Sequence, residues 1–246
     1  MKTLVNHIQI ENLDKRLFLL LGLFVAVMLA NQKSPREVVL GPNLDIFQKS
    51  VRVAHAKELL GASYKKVQGT VTATDYHGTL HTTVSKAFRG SNKLFSPKVA
   101  QTIIEESYRY GFDPYFLVAV IDGESTFNPR TVGRFGEIGL MQIKPSTAAW
   151  IAKKLDLNFN GRSDLFDPVT NIRIGAAYLN YLRKKFKSRG ALYIAAYNMG
   201  PRNVHRAVSK NIIPKDYPRH VMKRYLAYHK KAVSKKFKIE ELSKSF

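Results

Sequence analysis

Glu124 lies in the stretch DGESTFNPR, residues 122–130, just after the apolar run FLVAVI and before Asn128-Pro129. A lone carboxyl at a helix end can do acid–base work if apolar walls raise its pKa and keep its proton near neutral pH. In water it is an ordinary solvated glutamate, so its neighbours decide. Phe127, Leu140, Met141 and Tyr197 are available as walls if distant segments converge. Asp122 is a poor second acid, because residues two apart on a helix point to different faces. His77 and His81 stand four apart with Gly78-Thr79-Leu80 between them and without the glutamate of an HExxH zinc motif, so they read as solvated loop histidines and no metal site is expected. The chain has no cysteine, which excludes a disulfide framework, thiolate zinc sites and a lipidated N-terminal Cys.

Four separated motifs surround this glutamate: GESTFNP (123–129), GEIGLMQIKPSTA (136–148), DPVTNIRIGAAYL (167–179) and AAYNMGP (195–201). Together, in this order and spacing, they resemble the family 1 soluble lytic transglycosylase domain of glycoside hydrolase family 23, alongside the goose-type lysozymes. The resemblance spans roughly residues 94 to 225. It implies an all-α, lysozyme-like helical domain with a groove for a glycan strand. The implied substrate is peptidoglycan, cut at the β-1,4 bond between N-acetylmuramic acid and N-acetylglucosamine, with no cofactor.

By this resemblance Glu124 is the catalytic acid, and the enzymes work with one glutamate where other glycosidases pair two carboxylates. Ser125 is expected to orient it by hydrogen bonding. Gly139, Leu140, Met141 and Gln142 match the family's Gly-Leu-Met-Gln loop, with Gln142 bonding sugars and Met141 packing on a sugar face or serving as core. Tyr197 is expected within reach of the acid, and Asn198 against the glycan. Two positions depart from the common pattern: Gly133 stands where Ser is frequent, and Glu137 where Ala is frequent. Glu137 reads as a salt-bridge partner for a nearby cation, or as the holder of a water that would turn the product toward hydrolysis. The alternatives are therefore a hydrolytic muramidase, or a basic glycan- or nucleic-acid-binding protein without activity.

These motifs need helices to hold them. Ser96-Pro97, Asp113-Pro114 and Asp167-Pro168 are helix-start signals, Gly111 is a stop, and residues 191–201 form a short apolar helix ended by Gly-Pro. A basic helix is expected over 217–232. The reading divides the chain into an N-terminal signal-anchor or signal peptide (1–30), a helix plus linker region (31–93), the catalytic domain (94–232) and a basic tail (233–246). The apolar run Leu17–Ala30 follows Lys15-Arg16. It lacks a small-x-small cleavage site, which favours an uncleaved anchor with the bulk of the chain outside the cytoplasm. Asn43 to Leu60 reads as a helix, and residues 62–93, rich in Thr, Ser, Lys, His and Gly, as linker or weak strand.

The 246 residues carry 40 Lys plus Arg against 18 Asp plus Glu, a net charge of +22. From Tyr181 to Phe246 there are 18 basic and 3 acidic residues. Such a field favours a polyanion: nucleic acid, lipid headgroups or an acidic wall polymer. No nucleic-acid motif accompanies the basic helices, so the expected partners are peptidoglycan strands, anionic envelope polymers or headgroups, and a membrane through the N-terminal segment. The expected location is the extracytoplasmic side of the cell envelope.

Overall fold

The computed structural model describes residues 42–61, Tyr64 and residues 73–243. The apolar run Leu17–Ala30 and the reading of it as an anchor lie outside the described residues. The described helices are α1 (Pro42–Leu60), α2 (Ala73–Ala87), α3 (Ser96–Tyr110), α4 (Pro114–Ser125), α5 (Pro145–Leu155), α6 (Pro168–Lys185), α7 (Gly190–Met199), α8 (Pro201–Ser209) and α9 (Asp216–Ser243). Short 3₁₀ turns cover Gly90–Phe95 and Arg162–Phe166. Among the described residues there is no strand, only isolated bridges pairing Val132 with Ile138 and Ile138 with Ile143. The architecture is all-α, as expected. No helix among the described residues is long and apolar enough to cross a membrane.

α4 is the axis. Every residue from Pro114 to Ile121 is buried, as a helix without a polar face requires. α2, α3 and α9 pack around it, while α6 packs on α3, α5 and α7. The two Asp-Pro start signals act as read, whereas Ser96 lies inside the first turn of α3, donates to Lys93 O (2.8 Å) and leaves Phe95 as the N-cap. The Asp113 side chain accepts from Tyr115 N, and Asp167 accepts from Thr170 N. Gly111 closes α3 in the left-handed region, at φ 69°, where a side chain would be strained.

Asp113 does more than cap. It is fully buried and accepts from the hydroxyls of Tyr76 (2.6 Å) and Tyr225 (2.9 Å), while its backbone N–H donates to His55 Nδ1 (3.0 Å). Burial alone would push its carboxyl up, but His229, the Tyr76 hydroxyl and Arg52 outweigh this and hold it low. Because His55 Nδ1 accepts, the ring proton sits on Nε2 and donates to Tyr193 Oη at 3.0 Å. The Asp113 carboxylate thus ties α2, α4 and α9 together, and its backbone N–H adds α1. Arg183 makes a second tie, bonding Glu58 of α1 and the carbonyls of Tyr110 and Gly111.

Two expectations need correction. Residues 73–93 are not linker or strand. Tyr76, Leu80, Val84 and Phe88 recur every four residues and are buried in the main core. The threonines between them suit a helix because Thr82 and Thr83 donate their hydroxyls to the carbonyls four residues back. His77 is bonded to the Tyr108 hydroxyl at 2.7 Å rather than solvated in a loop. The helical unit therefore begins before residue 94. At the other end, α9 runs through Ser243, into the segment read as a tail.

Candidate active site

Glu124 occupies the last turn of α4. The chain then reverses through Thr126 and Phe127, both in the left-handed region at φ 50° and 59°. This reversal sends residues 128–144 back across the end of α4 as a tight loop. Ile138 and Ile143 exchange both backbone bonds at 3.0 Å, and Gly139 N donates to Thr131 O at 2.9 Å.

Asn171, fully buried on α6, pegs the loop in place. Its carbonyl oxygen accepts from Met141 N (2.7 Å), and its amide donates to Ile138 O (2.8 Å) and Leu165 O (2.9 Å). Gly139 is required here, with φ 80° and the Asn171 amide 2.3 Å from where a Cβ would stand. Gly175 leaves room for Met141 in the same way.

The result is a cavity of about 470 Å³ whose wall includes Glu124, Glu137, Gln142, Tyr178, Tyr197 and Asn198. The Tyr217 hydroxyl, from the first turn of α9, donates a hydrogen bond to Glu124 Oε1. Burial pushes the Glu124 carboxyl up to about 7, against the downward pull of the Tyr217 bond and with a further upward push from the Glu137 charge. A glutamate so placed holds its proton up to about pH 7 and is able to give it to a bound oxygen.

The expected residues separate into two groups. Glu124, Gln142, Tyr197 and Asn198 line the cavity. Gly139, Leu140 and Met141 are buried behind it, so Met141 is core and not a sugar platform. Ser125 is also buried, and its hydroxyl donates to Leu140 O (2.8 Å) and Ile121 O (3.2 Å). It ties the loop to α4 and does not hold the acid. Tyr197 donates to Met141 O at 2.7 Å, so the hydroxyl on the acid belongs to Tyr217 instead. Gln142 spends its amide on the carbonyls of Thr131 and Gly139. Phe127, read as a wall, is buried against Phe88.

Asp122 turns away and pairs with Arg224 at 3.2 Å. Glu137 pairs with Lys144 at 3.4 Å and accepts from Phe135 N. Burial pushes its carboxyl up, but these backbone and lysine contacts prevail and hold it low. Gly133 makes this possible, because a Cβ there would lie 2.6 Å from Glu137 Oε2. The two departures noted in the sequence are one adjustment.

Sequence reasoning missed Tyr217, Tyr178 and Phe135. Tyr178 was legible as part of the apolar pattern of α6. Tyr217 carried no signal, since it sits 93 positions from Glu124 at the start of a basic helix.

Residues 101–219 match the family model described as the transglycosylase SLT domain. The soluble lytic murein transglycosylase of Escherichia coli K12 is 35% identical over 114 residues, covering 46% of this chain and 16% of that protein. The membrane-bound lytic murein transglycosylase C of Photorhabdus laumondii is 34% identical over 155 residues, covering 57% of this chain and 43% of the relative. A solved lytic transglycosylase Slt from Pseudomonas aeruginosa aligns with a TM-score of 0.47 at 25% identity, over 56% of this chain and 24% of that one. The chain thus spans less than half the length of either curated relative. Through residues 101–219 it belongs to the transglycosylase SLT domain family.

Proposed function

We propose that this protein is a peptidoglycan lytic transglycosylase with Glu124 as its single acid and base. The observation that carries the reading is a carboxyl held at a pKa of about 7 in the wall of a cavity that Gln142, Tyr197 and Asn198 also line. Protonated Glu124 gives its proton to the glycosidic oxygen as the bond from that oxygen to C1 of N-acetylmuramic acid breaks. The substrate's own N-acetyl group stabilises the charge at C1. Glu124, now a carboxylate, takes the proton of the 6-hydroxyl of the same sugar while that oxygen bonds C1. The products are a 1,6-anhydro sugar and a free 4-hydroxyl, and no water is consumed. Gln142 and Asn198 position the glycan, and Tyr217 fixes the carboxyl. The names of the relatives, lytic murein transglycosylases, support this reading.

A second reading, hydrolysis, is favoured by Glu137, a carboxylate in the same cavity wall. The Lys144 pair argues for a structural role. Digestion of purified peptidoglycan in heavy-oxygen water separates the two. A transglycosylase leaves the products unlabelled; label at the reducing ends would establish a hydrolase. The basic surface fits acidic wall polymer or headgroups, and an envelope location with residues 1–30 as anchor fits a relative named as membrane-bound.

A further inference from the structure

The aromatic lining of the Glu124 cavity continues beyond it. Tyr197 and Tyr178 line the cavity with ring centroids 5.7 Å apart. Tyr181 stacks with Tyr178 at 6.3 Å and 13°. Trp150 of α5 meets Tyr181 edge to face at 4.7 Å and is 43% exposed. Four rings therefore run without a break from the catalytic cavity to the protein surface.

The helices explain the direction of this run. Thr147 of α5 and Tyr178 of α6 both line the cavity. Trp150 and Lys154 follow Thr147 by three and seven residues, and Tyr181 and Lys185 follow Tyr178 at the same spacings. Each series stays on one helical face and leads away from Glu124. The Lys154 ammonium lies 5.4 Å from the Trp150 ring and 5.2 Å from the Tyr181 ring, and Lys185 lies 5.9 Å from Tyr181. A single exposed tryptophan needs no explanation. A file of rings continuous with a catalytic cavity and ending between two cations has a matching ligand. A pyranose offers an apolar face of C–H groups to a flat ring, and a sugar bearing a carboxylate also suits a neighbouring ammonium.

We propose that Trp150 and Tyr181, with Lys154 and Lys185, form a distal binding site for an acid-bearing sugar of the same glycan strand whose bond is cut at Glu124. The rings stack on the sugar and the lysines take its carboxylate, from the lactyl group or the stem peptide. This inference rests on the peptidoglycan reading above. It adds a site about a strand segment away from the chemistry, which makes the enzyme prefer long strands over short ones.

Trp150 is the only tryptophan of the chain, so tryptophan emission, excited apart from the tyrosines, reports on this site alone. The test uses the full chain carrying Glu124→Gln, titrated with purified peptidoglycan strands of increasing length. The expected result is a saturable change in Trp150 emission that begins only with strands long enough to reach it. In the active enzyme, Tyr181→Ala should raise KM by about three- to tenfold on long strands, with an effect that grows with length. Lys154→Gln with Lys185→Gln should remove the preference for strands whose carboxylates are free over strands with amidated ones. Strand binding seen by calorimetry with unchanged Trp150 emission would overturn the distal site and leave the catalytic reading standing. A Tyr181→Ala effect equal at all lengths would do the same. Absence of both strand binding and turnover in the wild type would overturn the catalytic reading along with it.

Discussion

Glu124 is defined by its burial and by two neighbours, Tyr217 and Glu137, and each makes a separate prediction. The proposed mechanism starts from its protonated form, so kcat/KM should fall as pH rises through about 7. The Tyr217 bond pulls the pKa down, so Tyr217→Phe should move this basic limb to higher pH and lower kcat by about three- to tenfold. The Glu137 charge pushes it up, so Glu137→Gln should move the limb to lower pH. A pH–rate profile of both variants checks the opposite signs. The same raised pKa bears on stability. The folded state holds the Glu124 proton more tightly than the unfolded chain, so this contribution is complete below the unfolded value of 4.5 and is lost as pH rises through about 7. Glu124→Gln should therefore melt like the wild type in acid and be more stable at about pH 8, by up to about 3 kcal/mol. Thermal melts at both pH values measure this. At this scale the sequence was legible where a motif named the residue, as for Glu124, Gln142, Tyr197 and Asn198, which line one cavity. It misled where burial decided the role of Ser125, whose side chain faces inward, and it left Met141 open between sugar face and core until burial decided for core.

The elements succeed or fail on how they end. Three Pro-preceded starts were legible because Asp or Ser before Pro is a local signal. α2 was not, because its core stripe of Tyr76, Leu80, Val84 and Phe88 is diluted by Thr and His, residues also common in loops. The loop of residues 128–144 depends on one side chain of another element, Asn171. Removing it leaves Met141 N and the carbonyls of Ile138 and Leu165 without their partner. Asn171→Ala should cost on the order of 3 kcal/mol. It should also reduce activity, since Gln142 and Glu137 ride on this loop. Chemical denaturation gives the first quantity and turnover of peptidoglycan the second.

At the scale of the molecule, the helices before residue 94 are part of the same packed unit as the Glu124 cavity. Ala56, Tyr76, Leu80, Val84 and Phe88 share one buried cluster with α4, and Asp113 bonds His55 and Tyr76 from α1 and α2. A truncated chain of residues 94–246 should expose this apolar surface and leave the Asp113 carboxylate short of partners. It should lack a cooperative melt, while residues 41–246 should keep one; calorimetry of the two distinguishes them. The boundary at 94 falls where the helical pattern becomes clear in the sequence, and the family resemblance begins at the same place. A resemblance follows the residues that do chemistry, whereas the fold also needs the helices that cover them.

The central claim, that Glu124 alone performs acid and base steps on peptidoglycan, is tested most directly by mass spectrometry of the muropeptides released by the wild type and by Glu124→Gln. The account predicts 1,6-anhydro-muropeptides from the wild type and none from the variant. Reducing-end products from the wild type, or anhydro products from Glu124→Gln at the wild-type rate, would contradict it.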